Sequence, residues 1–248
     1  MPIHLSNSFL KPLAAALVVA LFAPAAAPAQ LLGPPPIPPK NKKQKHQGAD
    51  VEWLWQYSPP PAEGRENDLI QDPHFRPFLD QNFTAPQAFW GPQTGPRKSL
   101  ADTAFDFLAV PGKVIADDNR YITATGCVFH FCPSRGLLWA DLNGKDPLVV
   151  FAAIDWIRES KVTTDPDAEY TLWVFSNHPL SVNREDPNRI PNALIYSLTR
   201  WSKEPIARTG ILQRITTAVL VDPDGTPHEL KPELLGISNP PTASSEAK

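Results

Sequence analysis

The feature that most constrains the folding of this 248-residue chain is its pair of cysteines, Cys127 and Cys132, with only four residues between them. Three arrangements fit such a pair: a structural disulfide, a zinc site that includes His130, or a redox-active dithiol. A structural zinc site needs four ligands, and no second ligand cluster supplies the fourth. A redox dithiol normally has two intervening residues rather than four. The compartment in which the protein folds therefore decides between them.

The N-terminus predicts export from the cytoplasm. Residues 1–29 have the pattern of a secretory signal peptide, with an apolar run over 13–22 and small residues ending in Ala-Pro-Ala at 27–29. An apolar run of this length is too short to cross a hydrocarbon core of about 30 Å. We therefore expect cleavage before Gln30 and a periplasmic or secreted protein. An oxidising compartment favours the Cys127–Cys132 disulfide.

Proline and charge mark the limits of the folded part. Of the chain's 30 prolines, five fall within residues 34–39, and four lysines follow at 40–45. This composition predicts an extended linker over residues 30–50. We expect a domain over 51–236, with a C-terminal extension after about residue 180, and a disordered tail over 237–248. Residues 50–248 hold 18 basic and 26 acidic side chains, a net charge of −8, which argues against a nucleic-acid-binding protein.

Apolar patterns in the domain predict strands joined by turns, with short helices. An acidic cap followed by proline at Asp72-Pro73 predicts a helix whose Phe75, Phe78 and Leu79 face inward. A second helix is predicted after Pro191. Asn143-Gly144 between apolar runs predicts a hairpin. The predicted strands cover residues 114–116, 121–125, 137–139, 148–151, 170–175 and 215–221.

The segment around the cysteines resembles the Ivy family, which inhibits vertebrate-type (C-type) lysozymes. In that family a strand leads into a disulfide-closed loop, Cys-Lys-Pro-His-Asp-Cys, and a tryptophan-bearing strand follows. Here residues 121–126 precede the loop, His130 occupies the histidine position, and Trp139 lies in the strand that follows. Residues 74–79 and 88–90 resemble the family's N-terminal helix and the tryptophan segment after it. The resemblance covers roughly residues 70–180.

The resemblance implies a fold and a binding site. The fold would be α+β, an antiparallel β-sheet with short helices packed on one face and a protruding, disulfide-closed loop, able to form a homodimer. The residues expected to bind a partner are Cys127, Val128, Phe129, His130, Phe131 and Cys132. Two departures from the family matter, because Val128-Phe129 replaces Lys-Pro and Phe131 replaces the loop acid. The new aromatic rings either contact a different partner or pack back onto the domain.

The function implied by the resemblance is inhibition of C-type lysozyme by occlusion of its active-site cleft. Such a cleft holds a protonated glutamate and an ionised aspartate. The imidazole of His130 can donate and accept hydrogen bonds, so it can pair with either group. The alternative is a non-catalytic, envelope-associated binding protein with the same fold and a different ligand. The sequence contains no Gly-x-Ser-x-Gly or His-Glu-x-x-His motif and no glycine-rich phosphate loop, so we predict no enzymatic activity and no cofactor or metal. The acidic charge predicts no nucleic-acid partner, and the lack of a long apolar segment predicts no membrane span.

Overall fold

The computed structural model describes residues 50–57, 66–92, 94–143, 145–183 and 185–240. The predicted signal peptide, the linker apart from Asp50, and the last eight residues of the predicted tail lie outside this part of the chain. Within it, no helix is both long enough and apolar enough to span a membrane.

The described residues form short helices and one sheet. The α-helices are α1 (Glu66–Gln71), α2 (Phe75–Asn82), α3 (Leu100–Leu108) and α4 (Asn192–Ser202). The strands are β1 (Val110–Asp117), β2 (Tyr121–Val128), β3 (Phe131–Asp141), β4 (Val149–Trp156), β5 (Glu169–Ser176), β6 (Arg214–Val221) and β7 (Pro227–Leu230). Short 3-10 helices lie at Glu52–Tyr57 and Pro232–Leu235. The seven strands lie side by side in sequence order, and the predicted α+β class is confirmed.

The sheet is mixed rather than wholly antiparallel. Strands β5 and β6 run parallel, whereas the other neighbouring pairs are antiparallel. A parallel pair needs a long crossover, and here the connection contains α4. The expectation of an antiparallel sheet is therefore wrong at this one junction.

Helices cover both faces of the sheet. One apolar layer lies between α1–α3 and the sheet and contains Phe75, Phe107 and Phe151. The opposite layer contains Leu194 and Leu198 of α4 with Trp139 of β3. The expectation of helices on one face is therefore wrong. The physical reason is that β3 and β4 are apolar on both sides, with residues 137–140 and 149–154 all buried, so both faces need cover.

Most of the predicted elements are present. Strands lie over every predicted strand segment, and α4 follows Pro191. Phe75, Phe78 and Leu79 are buried as expected, although α2 begins at Phe75 and the Asp72 carboxylate accepts a hydrogen bond from the His74 amide, 2.8 Å away. Strands β3 and β4 pair as the hairpin signal at Asn143-Gly144 predicts, and Gly144 itself lies outside the described residues.

The domain continues beyond its predicted C-terminal limit. Ile237 is buried in the α4 layer. The Asn239 side chain accepts a hydrogen bond from the Ile215 amide and donates one to the Ile215 carbonyl, each 2.7 Å long. We expected residues 237–240 to belong to the disordered tail. They belong instead to the folded domain, where Asn239 hydrogen-bonds to the backbone near the beginning of β6.

Helix α3 approaches the sheet closely because two glycines face it. Gly126 of β2 and Gly136 of β3 are paired across the hairpin. A Cβ on Gly126 would lie 2.8 Å from the Leu108 Cα, and one on Gly136 would lie 2.8 Å from the Phe107 Cβ. Ser99 starts the helix, since its Oγ accepts a 3.0 Å hydrogen bond from the Asp102 amide. The last turn of α3 therefore rests directly on the backbone of the β2–β3 hairpin.

Replacing Gly136 with Ala should lower the free energy of unfolding by about 1–3 kcal/mol, because the new methyl meets helix backbone that cannot move aside. Urea unfolding followed by tryptophan fluorescence measures this loss. The control is Gly210→Ala, where a Cβ would meet nothing within 4 Å and only the positive φ of 72° is penalised. A loss in Gly136→Ala no larger than in this control would contradict the close packing of α3.

Candidate partner-binding loop

The two cysteines form a disulfide at the tip of the β2–β3 hairpin. Cys127 and Cys132 are bonded, with their Cα atoms 4.8 Å apart, a usual separation for a disulfide. The predicted pairing is confirmed, and neither sulfur remains as a thiolate for zinc binding or redox chemistry. No cluster of three metal-binding side chains occurs among the described residues.

The turn inside the disulfide presents two side chains to solvent. Val128 pairs with Phe131, which leaves Phe129 and His130 as the two central residues. The Phe129 side chain is 65% exposed, and His130 is also exposed. His130 has a φ of 62°, in the left-handed region that few non-glycine residues occupy. The hairpin therefore ends in an aromatic ring and an imidazole, with ring centres 3.8 Å apart.

The three apolar residues of the loop have different surroundings. Phe131, at the position of the family's acid, is partly buried, and its ring centre lies 6.2 Å from that of Trp156 on β4. Val128 is also partly buried and packs against the α1–α3 layer. Phe131 and Val128 thus pack back onto the domain, whereas Phe129 points away from it.

A bulge at the base of the loop fixes its position. Cys127 pairs with Arg135 while Val128 pairs with Phe131, so residues 132–134 of β3 have no partner on β2. Two of these residues are held by other parts of the chain. The Pro133 carbonyl accepts a 2.6 Å hydrogen bond from the Gln213 side chain, and the Ser134 hydroxyl donates one of 2.6 Å to Asp155. The bulge is therefore attached to β4 and to the segment that precedes β6.

Arg135 ties the other side of the hairpin to the end of α4. Its Nη1 donates a 2.9 Å hydrogen bond to the Glu204 carbonyl, and its guanidinium carbon lies 5.3 Å from the centre of the Trp201 ring. The side chain is buried, and burial lowers the pKa of this arginine to about 10. Sequence reasoning missed Arg135 and Gln213, and it considered Asp155 only as a possible catalytic carboxylate. The polar pair Ser134-Arg135, inside an otherwise apolar strand, was the available signal.

Two open clefts flank the loop and share Trp90 and Arg158. The first, of about 410 Å³, reaches Phe129 and also contains Lys98 and Asp106, which form an ion pair at 2.5 Å. The second, of about 350 Å³, is lined by Phe131, Trp156 and Asp155. A partner that covered Phe129 would therefore meet aromatic rings and a guanidinium next to it.

His74, His178 and His228 each lie near acids or turns in the sequence, but they do not come together in the fold. Each pairs with a different aspartate: His74 with Asp72 at 2.8 Å, His178 with Asp146 at 3.2 Å, and His228 with Asp222 at 2.8 Å. The described residues therefore contain three separate surface pairs rather than one catalytic cluster.

Asp155, which holds the bulge, has a raised pKa. Burial raises it, and the Ser134 hydroxyl, the Trp156 amide and the charge of Arg158 offset part of that rise. The folded protein therefore binds the Asp155 proton more tightly than the unfolded chain does. Its contribution to stability falls as the pH rises from the ordinary range of an aspartate through the raised value.

Asp155→Asn removes this titration and keeps an oxygen that can accept the Ser134 hydrogen bond. The free energy of unfolding of the variant minus that of the wild type should be larger at pH 7 than at pH 3. At pH 3 the Asp155 carboxyl of the wild type is protonated in both the folded and the unfolded state. Urea unfolding at the two pH values measures the difference. Asp68→Asn, at an exposed site on α1, is the control for the removal of an acidic side chain. An equal effect of Asp155→Asn at both pH values would refute the assignment.

Comparison of the chain with protein-family models, with curated proteins and with solved structures found no match.

Proposed function

We propose that this protein is an exported inhibitor of C-type lysozyme that inserts the Cys127–Cys132 loop into the active-site cleft. The observation that carries the proposal is the exposure of Phe129 and His130 on a turn that is closed by a disulfide. An exposed aromatic ring on a braced turn is typical of an anchor that becomes buried on binding. The resemblance of the loop to that of the Ivy family supplies the identity of the partner.

The chemistry of the tip suits a cleft that contains two carboxyl groups. His130 can donate a hydrogen bond to an ionised aspartate or accept one from a protonated glutamate. Phe129 adds apolar contact next to it, and burying a phenylalanine side chain contributes about 1.5–3 kcal/mol. Inhibition would occur by occlusion, with no covalent bond made or broken.

The rigidity of the loop favours binding. Its ring is closed by the disulfide, and its base is held by Gln213, Asp155 and the Glu204 carbonyl. Little conformational entropy is therefore lost when the tip enters a cleft. The net charge of −8 on residues 50–248 would also attract a basic lysozyme at long range.

A second candidate is an envelope-associated binding protein with a different protein ligand. The observation that favours it is the absence of the family's acid and lysine from the loop, where Phe131 and Val128 pack onto the domain instead. The tip then offers one imidazole and one apolar ring, which would suit an apolar pocket on another partner.

His130→Gly should weaken binding to a C-type lysozyme about 5- to 150-fold, the equivalent of about 1–3 kcal/mol for an unpaired buried carboxyl group. Glycine is chosen because it tolerates the φ of 62° at this position, whereas alanine would add backbone strain. Calorimetric titration, with residual muramidase activity measured in parallel, gives the affinity and the inhibition.

The matched control is Asn119→Gly, which makes the same kind of change at another left-handed residue, in the β1–β2 turn. It should leave the affinity unchanged. Binding of C-type lysozyme by neither wild type nor variants, in protein shown to be folded, would reject lysozyme as the partner. Binding that is insensitive to both His130→Gly and Phe129→Ala would reject the loop as the contact.

Replacing both cysteines with Ser should reduce affinity more than it reduces stability. The six-residue ring adds only about 2 kcal/mol to stability by loop-closure entropy, whereas an open loop must become ordered on contact. Thermal unfolding and calorimetric titration of the same variant separate the two effects. Undiminished affinity in the double variant would show that the disulfide does not preorganise the contact.

A further inference from the structure

A cleft of about 700 Å³ lies over strands β5–β7 and is separate from the loop. On this face of the sheet, helix α3 packs on β1, β2, β3 and β4. Strands β5–β7 are covered on the same face by other segments. The volume lies within the range of about 300–1,000 Å³ that is usual for small-molecule sites. The cleft is therefore large enough for a ligand of the size of a lipid chain or a drug.

The floor of the cleft is an apolar surface spread over three strands. Trp173 of β5 pairs with Val219 of β6, and Val219 pairs with Glu229 of β7. Phe175, Val221 and Pro227 form the next row in the same way. Paired residues on neighbouring strands share a face, so both rows point into the cleft.

The roof is a segment over residues 86–89 that is held in place. The Gln87 side chain donates hydrogen bonds to the carbonyls of Trp90 and Lys98, at 3.0 and 2.9 Å, and accepts one from the Trp90 amide at 3.0 Å. The Phe89 ring stacks on Trp173 with ring centres 5.0 Å apart. Gly225 touches the Pro86 ring so closely that a Cβ there would overlap it. The cleft is thus formed before any ligand binds.

The charge of the cleft selects the class of ligand. Glu229 is the one charged residue among those that line it, and it lies exposed on the edge strand. Gln87 cannot compensate for this carboxylate, because its amide is already hydrogen-bonded within the roof. A cation at the rim would meet the carboxylate of Glu229. An anionic amphiphile such as a fatty acid would gain no such contact from Glu229.

We propose that this cleft binds a small amphipathic cation, whose apolar body lies over Val219 and Val221, beside the stacked rings of Phe89 and Trp173, and whose amine reaches Glu229. The site shares no residue with the disulfide loop, so this proposal can be tested independently of lysozyme inhibition.

The test uses octylamine and octanoate, two probes with the same chain length and opposite charge. Calorimetric titration of the purified protein should give saturable binding of octylamine, about five-fold or more tighter than that of octanoate. In Glu229→Gln the two affinities should become equal. Glu233→Gln, an exposed acid on the second 3-10 helix, is the matched control and should keep the wild-type preference.

A second set of variants tests the location. Val219→Phe adds volume to the floor and should abolish binding of both probes. Because this substitution is in the sheet, Ala88→Trp provides an independent block from the exposed roof. Equal affinity of the wild type for both probes, an octylamine preference that survives Glu229→Gln, or unchanged binding in Ala88→Trp would each overturn the proposal.

Discussion

The close contact between α3 and the β2–β3 hairpin is the constraint on which the rest of the structure depends. It requires two glycines directly opposite each other, Gly126 and Gly136, because a side chain at either position would meet helix backbone. The contact places Phe107 in the centre of the α1–α3 layer, where its ring meets Trp90 at 4.7 Å and Phe151 at 6.0 Å between ring centres. Trp90 lines both clefts beside the loop. The surroundings of the candidate site are therefore set by the packing of a helix on a pair of glycines.

The same hairpin connects the core to the loop. Its inner half is fixed by burial, and its outer half is fixed by polar contacts at the bulge over residues 132–134. Those contacts come from distant parts of the chain: Gln213 holds Pro133 and Asp155 holds Ser134, while the Glu204 carbonyl holds Arg135 next to the bulge. Because Pro133 has no partner on β2, the Gln213 side chain satisfies its carbonyl instead. The disulfide then needs to order only the few residues beyond the bulge.

Short stretches of sequence predicted the features that depend on neighbouring residues. They did not predict the contacts between segments that are distant in the chain. The disulfide, the β1–β2 hairpin and the amphipathic α4 each follow from short stretches of sequence. Helix α3 also had a local signal, since Ser99 and Asp102 stand at cap spacing, but that signal was missed. The parallel β5–β6 pairing and the bond from Gln213 to Pro133, 80 residues apart, depend on how distant segments meet. Nothing in the spacing of these residues reveals their partners.

The disulfide loop and the β1–β2 turn both contain residues with a left-handed backbone conformation, but the surroundings of these residues differ. Asp118 and Asn119 occupy the left-handed region in the β1–β2 turn, where their short polar side chains tolerate it. His130 adopts the same region beside Phe129, whose ring is exposed to solvent. Neither feature benefits the isolated fold, because one strains the backbone and the other leaves apolar surface in water. A partner that buried the ring and paired with the imidazole would offset both costs, which is why our proposal places recognition at the tip of the hairpin rather than at any of the histidine–aspartate pairs.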